Sequence, residues 1–171
     1  MSTSVGAPAV EEHEKEKAAL LDEEGDLTPK FEAALIRIFA RFSSSYKEAH
    51  PDVQASGSGS SASIPRPEAT DVLTEADLDA FSTATNGAAL PQESKDEIRE
   101  FLDIDKDGNL TLRGFIEMYH LQSDNDPEET WKDLSKLGFS SSLEYEDERK
   151  QATETKAAGD SATDQVADSK N

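Results

Sequence analysis

The chain has 171 residues and a formal net charge of −20, with 37 Asp and Glu against 17 Lys and Arg. This charge repels the phosphates of nucleic acids and anionic membrane surfaces, whereas it attracts divalent cations and basic partners. The absence of cysteine excludes a disulfide framework and a thiolate metal site. No secretory signal, lipidation motif or apolar run of transmembrane length is visible, so we expect one small domain with polar tails in a cytoplasmic protein.

The N-terminal third predicts one helix between two unstructured segments. Residues 1–27 are acidic and poor in large apolar side chains, so we expect a disordered arm there. After Pro29, apolar residues recur at helical spacing on one face. They are Phe31, Leu35, Ile38, Phe39 and Phe42. A Gly- and Ser-rich run and a Pro-Arg-Pro sequence then predict a flexible insertion over residues 44–70.

Residues 103–114 read DIDKDGNLTLRG, and oxygen-bearing side chains recur in this stretch at alternate positions. A calcium-binding EF-hand loop takes ligands from its first, third, fifth, seventh, ninth and twelfth positions and needs Gly at the sixth. Gly108 stands at that sixth position, and Leu110 is the apolar residue that joins two such loops through a short strand. The candidate metal ligands are Asp103, Asp105, Asp107, Asn109 through its backbone carbonyl, and Thr111.

The closing position of this loop lacks its ligand. It normally carries a bidentate Glu, but here it is Gly114. We therefore expect Ca²⁺ to bind weakly, with a dissociation constant of about 10⁻⁴ to 10⁻³ M. Two alternatives stay open, namely an Asp-rich turn that caps local amides and a calcium-independent EF-hand scaffold for protein–protein interaction. A protein partner is compatible with the sequence, which does not identify it, and no catalytic constellation is visible, so we do not expect an enzyme.

The flanks of this loop also read as helices. Apolar residues line both sides at helical spacing, and Ser94 with Glu97 predicts a capping box for the incoming helix. A degenerate first hand is predicted upstream, with Leu73 as its strand residue and Asp77 at its closing position. Its early ligand positions contain no acid, so we expect no calcium there. They are Ser43, Ser45 and Lys47.

A fifth helix is predicted over residues 127–137, between the cap Asp126 and the stop Gly138. Its apolar side consists of Trp131, Leu134 and Leu137. Because its tether is short, we expect it to fill the apolar groove of the EF-hand pair with or without calcium. Residues 144–171 predict a disordered tail. The predicted fold class is thus all-α, an EF-hand pair of four helices with short paired loop strands, a fifth packing helix and disordered acidic tails.

Over residues 73–144 the chain resembles the EF-hand regions of the Miro family of mitochondrial GTPases. The matching residues are Leu73, Leu78, Phe81, Leu90, Pro91, Leu110, Leu112, Gly114, Phe115, Trp131, Leu134, Gly138 and Leu143. The resemblance implies a calcium-binding hand, a hidden partner hand and a following helix that occupies their groove as a bound target would. It implies no calcium at the hand that carries Gly114, although this chain keeps three aspartates there. Without a GxxxxGK[ST] phosphate loop or a transmembrane tail, GTPase activity and outer-membrane anchoring are not implied.

Overall fold

The computed structural model describes residues 7–55 and 64–145. In these two ranges the chain is mostly helical and has one two-stranded antiparallel sheet. The helices are α1 (Ala7–Leu20), α2 (Pro29–Phe42), α3 (Ser44–Ala49), α4 (Pro51–Ala55), α5 (Glu75–Asn86), α6 (Gln92–Phe101), α7 (Leu112–Asn125) and α8 (Pro127–Lys136). Strand β1 (Val72–Leu73) precedes α5, and strand β2 (Leu110–Thr111) precedes α7. The mostly helical content confirms the all-α class expected from the sequence.

Aromatic rings from α2, α5 and α7 form the centre of the core. The Phe115 ring lies 5.8 Å from that of Phe39, 5.6 Å from that of Phe81 and 5.3 Å from that of Tyr119. Tilted and edge-on arrangements of this kind are favoured by the ring quadrupole. The apolar face predicted for α2 is buried as expected, and Phe31 and Phe39 are both 0% exposed.

The N-terminal segment is helical where we expected a disordered arm. Residues 7–20 form α1, which ends in the fully buried Leu20. This helix packs against α8, and the Trp131 indole N–H donates a hydrogen bond to the backbone carbonyl of Glu16 at 3.1 Å. Lys17 pairs with Asp124 of α7 at 2.7 Å. The acidic composition hid this helix because few of its side chains are both large and apolar, and its contacts come from its C-terminal end and from its backbone.

The insertion expected to be flexible over residues 44–70 contains α3 and α4. Tyr46 of α3 is buried, and its hydroxyl donates a hydrogen bond to the carbonyl of Pro65 at 2.7 Å. Ser45 accepts the N–H of Val72 at 3.0 Å, so the returning chain is fixed onto α3. Residues 56–63 of the insertion, residues 1–6 of the arm and residues 146–171 of the expected tail lie outside the described residues.

The C-terminal helix α8 agrees with its prediction to within one residue. Asp126 caps it by accepting the N–H of Glu129 at 3.1 Å. The capping box expected from Ser94 is absent, because α6 begins earlier in the chain, after Pro91, without a side-chain cap. Among the helices that the structure describes, none has the length and apolar character to span a bilayer.

Candidate metal site

The two short strands bring two loops side by side. Leu73 of β1 lies opposite Leu110 of β2, and Val72 lies opposite Thr111. Both leucines are 0% exposed, so the pairing is anchored in the core. These are the two residues that the sequence assigned to this contact. The pairing holds Leu110 and Thr111, at the end of the loop between α6 and α7, against β1. It therefore fixes the position of the loop that carries the candidate ligands.

The loop between α6 and α7 turns sharply at Gly108, whose φ of +83° favours glycine. The N–H of Asp105 donates to the carbonyl of Asn109 at 2.9 Å, and the N–H of Gly108 donates to the carbonyl of Asp105 at 3.1 Å. Thr111 then caps α7, because its hydroxyl oxygen accepts the N–H of Gly114 at 3.1 Å. These hydrogen bonds between protein groups fix the backbone of the loop.

Asp105 is the central acceptor of the loop. One of its carboxylate oxygens accepts the N–H groups of Asp107 at 2.9 Å and of Asn109 at 2.8 Å. The other accepts the side-chain amide of Asn109 at 3.1 Å. The bonds from Asn109, its backbone N–H first, hold the pKa of the Asp105 carboxyl below its ordinary value. Asp105 is thus a carboxylate that organises the loop.

The other candidate ligands also have partners inside the loop. The Thr111 hydroxyl donates a hydrogen bond to the carboxylate of Asp103, and Lys106 pairs with Asp107 at 2.7 Å. Within the described ranges, no group of three or more His, Cys, Asp or Glu side chains lies close enough together to hold a metal ion. The five predicted ligands therefore lie in one loop. A cation bound there would have to replace hydrogen bonds that these residues make with one another.

At Gly114, α7 lies so close to the start of the loop that there is no space for a side chain. A Cβ atom at this position would lie 2.3 Å from the backbone oxygen of Asp103 and 2.6 Å from Cδ1 of Leu110. Both distances are far below van der Waals contact, so any side chain here forces a shift. The missing closing ligand is thus replaced by direct packing of α7 against the loop.

The carboxylate of Asp77, which the sequence predicts as the closing position of a first hand, is also bonded to protein groups. Asp77 is 5% exposed, and one of its oxygens accepts the N–H of Ser44 at 3.2 Å and the N–H of Thr74 at 3.0 Å. The Ser44 hydroxyl donates to the other oxygen. Helix α3 supplies these Ser44 donors, which the sequence did not lead us to expect. The donors occupy the carboxylate where a cation would sit in a regular loop.

The loop between α1 and α2 has the same hydrogen-bond pattern as the loop between α6 and α7. Asp22 accepts the N–H groups of Glu24 at 3.0 Å and of Asp26 at 2.9 Å, and its own N–H donates to the carbonyl of Asp26 at 2.8 Å. Gly25 has a φ of +87°, close to that of Gly108. The imidazole Nε2 of His120 lies 2.7 Å from the carbonyl of Gly25, so α7 contacts this loop directly.

Sequence reasoning missed this second loop, although a signal was present. Residues 21–28 read LDEEGDLT and residues 104–111 read IDKDGNLT, so both place an acid, a glycine, a leucine and a threonine at the same offsets. A search for internal repeats would have found the match. The position that corresponds to Gly114 is Phe31, which cannot bind a cation.

Ion pairs hold α6 against α5. Lys95 lies 2.8 Å from Asp79 and 3.2 Å from Glu75, and Arg99 lies 3.0 Å from Glu75. The hydrogen bond that Lys95 donates to Asp79 is the largest cause of the raised pKa of Lys95. Phe101, at the end of α6, is 71% exposed. The helix that leads into the candidate site is therefore attached through these ion pairs as well as through Ile98, which is 8% exposed and belongs to the core.

Helix α8 covers the apolar surface between α5 and α7. Leu134 is 0% exposed and Leu137 is 2% exposed. Lys136 donates a hydrogen bond to the carbonyl of Thr85 at the end of α5. These contacts agree with the expectation that the fifth helix packs onto the rest of the domain.

Comparisons with protein-family models, with curated proteins and with solved structures found no match. The interpretation of the site therefore depends on its own residues and geometry.

Proposed function

We propose that this chain is an EF-hand calcium-binding protein with one weak site, formed by residues 103–111. The observation that carries the proposal is the helix–loop–helix unit itself. Three carboxylates stand at alternate positions around a left-handed Gly108, and Leu110 pairs with the strand residue of a second loop. The resemblance to the Miro EF-hand regions supports the EF-hand part of this proposal, whereas calcium at this hand, which the resemblance does not imply, is supported by its three aspartates.

The donor set suits a hard divalent cation. Asp103, Asp105 and Asp107 offer carboxylate oxygens, Asn109 offers its carbonyl and Thr111 its hydroxyl, and calcium prefers oxygen ligands of these kinds. A bound cation would also relieve the mutual repulsion of three carboxylates within five residues.

The same geometry makes the proposed site weak. Calcium has to displace the Thr111 hydroxyl from Asp103 and the side-chain amide of Asn109 from Asp105. It gains no bidentate ligand in return, because Gly114 packs against the loop. Both effects support a weak site, for which we propose a dissociation constant of about 10⁻⁴ to 10⁻³ M, the weak end of the EF-hand range. We propose no calcium at the first hand, because its Asp77 is bonded to Ser44 and Thr74.

We also propose that calcium does not open the domain. Sensor EF-hands open a flexible groove, often rich in methionine, when calcium binds. Here α8 covers the corresponding surface with Leu134 and Leu137, and the sequence contains only two methionines. Calcium binding would then stiffen one loop of a body that remains closed.

Isothermal titration calorimetry of calcium into the apo protein tests the site. We expect saturable heat at submillimolar to millimolar calcium, and loss of that heat when Asp103 and Asp105 are both changed to Ala. The matched control is Glu100→Gln, which removes an exposed acid of α6 whose side chain makes no hydrogen bond or ion pair within the part of the chain that the structure describes. Wild-type heat that persists in the double variant would place the bound ion elsewhere.

A calcium-independent scaffold for protein–protein interaction is the second candidate. The observation that favours it is the set of hydrogen bonds and the Gly114 packing that fix the loop without a cation. On this alternative, the titration gives no saturable heat at millimolar calcium, and the amide spectrum of residues 103–114 does not respond to calcium. The same experiment therefore separates the two candidates.

A further inference from the structure

A buried carboxylate stands at the contact between α7 and α8. Asp133 of α8 is 7% exposed, and its Oδ2 accepts hydrogen bonds from the Tyr119 hydroxyl at 3.1 Å and from the Gln122 amide at 3.2 Å. Its Oδ1 is buried and has no hydrogen-bond partner among the residues that the structure describes. An unbonded carboxylate oxygen in the protein interior is unfavourable as long as the group is charged.

The groups around Asp133 come from each helix that packs on α8. On α8 itself Glu129 and Lys136 act on the charge, and Lys136 is bonded to a carbonyl of α5. From α7 come Tyr119 and Gln122. Helix α1 contributes the Glu16 backbone carbonyl, which is bonded to Trp131, and its Lys17 is paired with Asp124 of α7.

Burial outweighs these partners. It is the largest influence on Asp133 and raises the pKa of its carboxyl above the ordinary value, although Gln122, Tyr119 and Lys136 act in the opposite direction. Burial also raises the pKa of Tyr119 well above its ordinary value, so its hydroxyl stays a donor. The geometry shows where a proton on Asp133 can go. Because Oδ1 is free of hydrogen bonds, it can be protonated without the loss of either bond to Oδ2.

We propose that Asp133 makes the docking of α8 depend on pH. Its side chain holds α8 on the domain more tightly when the carboxyl group is protonated than when it is ionised. A group whose pKa is raised by folding gives stability that is fully present below its unfolded pKa and is lost as the pH rises through its folded pKa. Helix α8 is therefore docked most firmly in acid. As the pH rises, docking weakens and the surface that Leu134 and Leu137 cover becomes easier to expose.

The test compares the full chain with Asp133→Asn, which keeps the shape of the side chain and removes the charge. Docking is followed through Trp131, the only tryptophan, by fluorescence during urea unfolding at about pH 4.5 and about pH 7.5. We expect Asp133→Asn to reduce the loss of stability between the acid and the neutral condition. Glu128→Gln, which removes an exposed acid of the same helix, should keep the wild-type pH dependence.

The titration of the Asp133 carboxyl carbon by NMR in the wild-type chain gives a second, independent readout that does not need the variant to fold. We expect its midpoint above the ordinary Asp value of about 3.9. A midpoint at or below that value overturns the proposal. An equal pH dependence of stability in wild type and Asp133→Asn overturns it as well.

Discussion

Gly114→Glu, which would introduce the closing ligand of the proposed calcium site, should destabilise this protein. In a regular EF-hand loop, Glu at this position completes the ligand set and strengthens binding. Here the Cβ atom of any side chain would lie 2.3 Å from the backbone oxygen of Asp103 and 2.6 Å from Leu110. Relief of such a clash requires α7 to move away from the loop, and overpacking of this kind costs about 1–3 kcal/mol.

Thermal unfolding by circular dichroism, with a calcium chelator present, measures this cost. We expect both Gly114→Glu and Gly114→Ala to lower the melting temperature by roughly 4–12 °C, since about 1 kcal/mol corresponds to about 4 °C for a domain of this size. The alanine variant adds only the Cβ atom, so it separates the clash from the new charge. An alanine variant as stable as wild type would refute the claim that α7 packs directly against the loop.

Three further predictions concern single side chains. Asp77→Ala leaves two donors of Ser44 and the N–H of Thr74 without their acceptor, and we expect it to lower the free energy of unfolding in urea by about 1–2 kcal/mol, because these partly buried donors can bond to water instead. Leu134→Ala removes a fully buried side chain and should cost about 2–5 kcal/mol, and we expect the same cost with and without calcium if α8 stays docked in both states as proposed. Asp105→Ala should accelerate hydrogen exchange of the Asn109 amide in the absence of calcium, whereas Asp107→Ala should leave it unchanged. Because the Asp105 pKa is lowered by folding, its support of the loop is present above its unfolded pKa, and the protection factor of the Asn109 amide in the wild type, which corrects for the intrinsic pH dependence of exchange, should fall as the pH falls through the folded pKa.

The parts of the fold that depend on local patterns could be predicted from the sequence. The spacing of apolar residues after Pro29 identifies the buried face of α2, and Asp126 with Pro127 marks the start of α8. The acid spacing around Gly108 identifies the turn. In each of these cases the physical cause lies within a few residues of the pattern.

The parts that depend on distant contacts could not be predicted in this way. Helix α1 has little apolar character of its own and is held by Trp131 and Asp124, which are more than a hundred positions away in the sequence. The donors of Ser44 reach Asp77 only because α3 folds back onto the start of α5. The sequence shows that Gly114 lacks a ligand, but only the structure shows that α7 leaves no room for one.

The most direct test of the central claim is a calcium titration followed by residue-resolved amide spectra of the full chain. The account predicts saturable shifts of the amides in residues 103–111, with a midpoint of about 10⁻⁴ to 10⁻³ M calcium. The Trp131 indole signal should stay unchanged, because α8 remains docked. No shift in this loop at roughly ten times that concentration, or saturable shifts confined to residues 21–28, would contradict the assignment of the site.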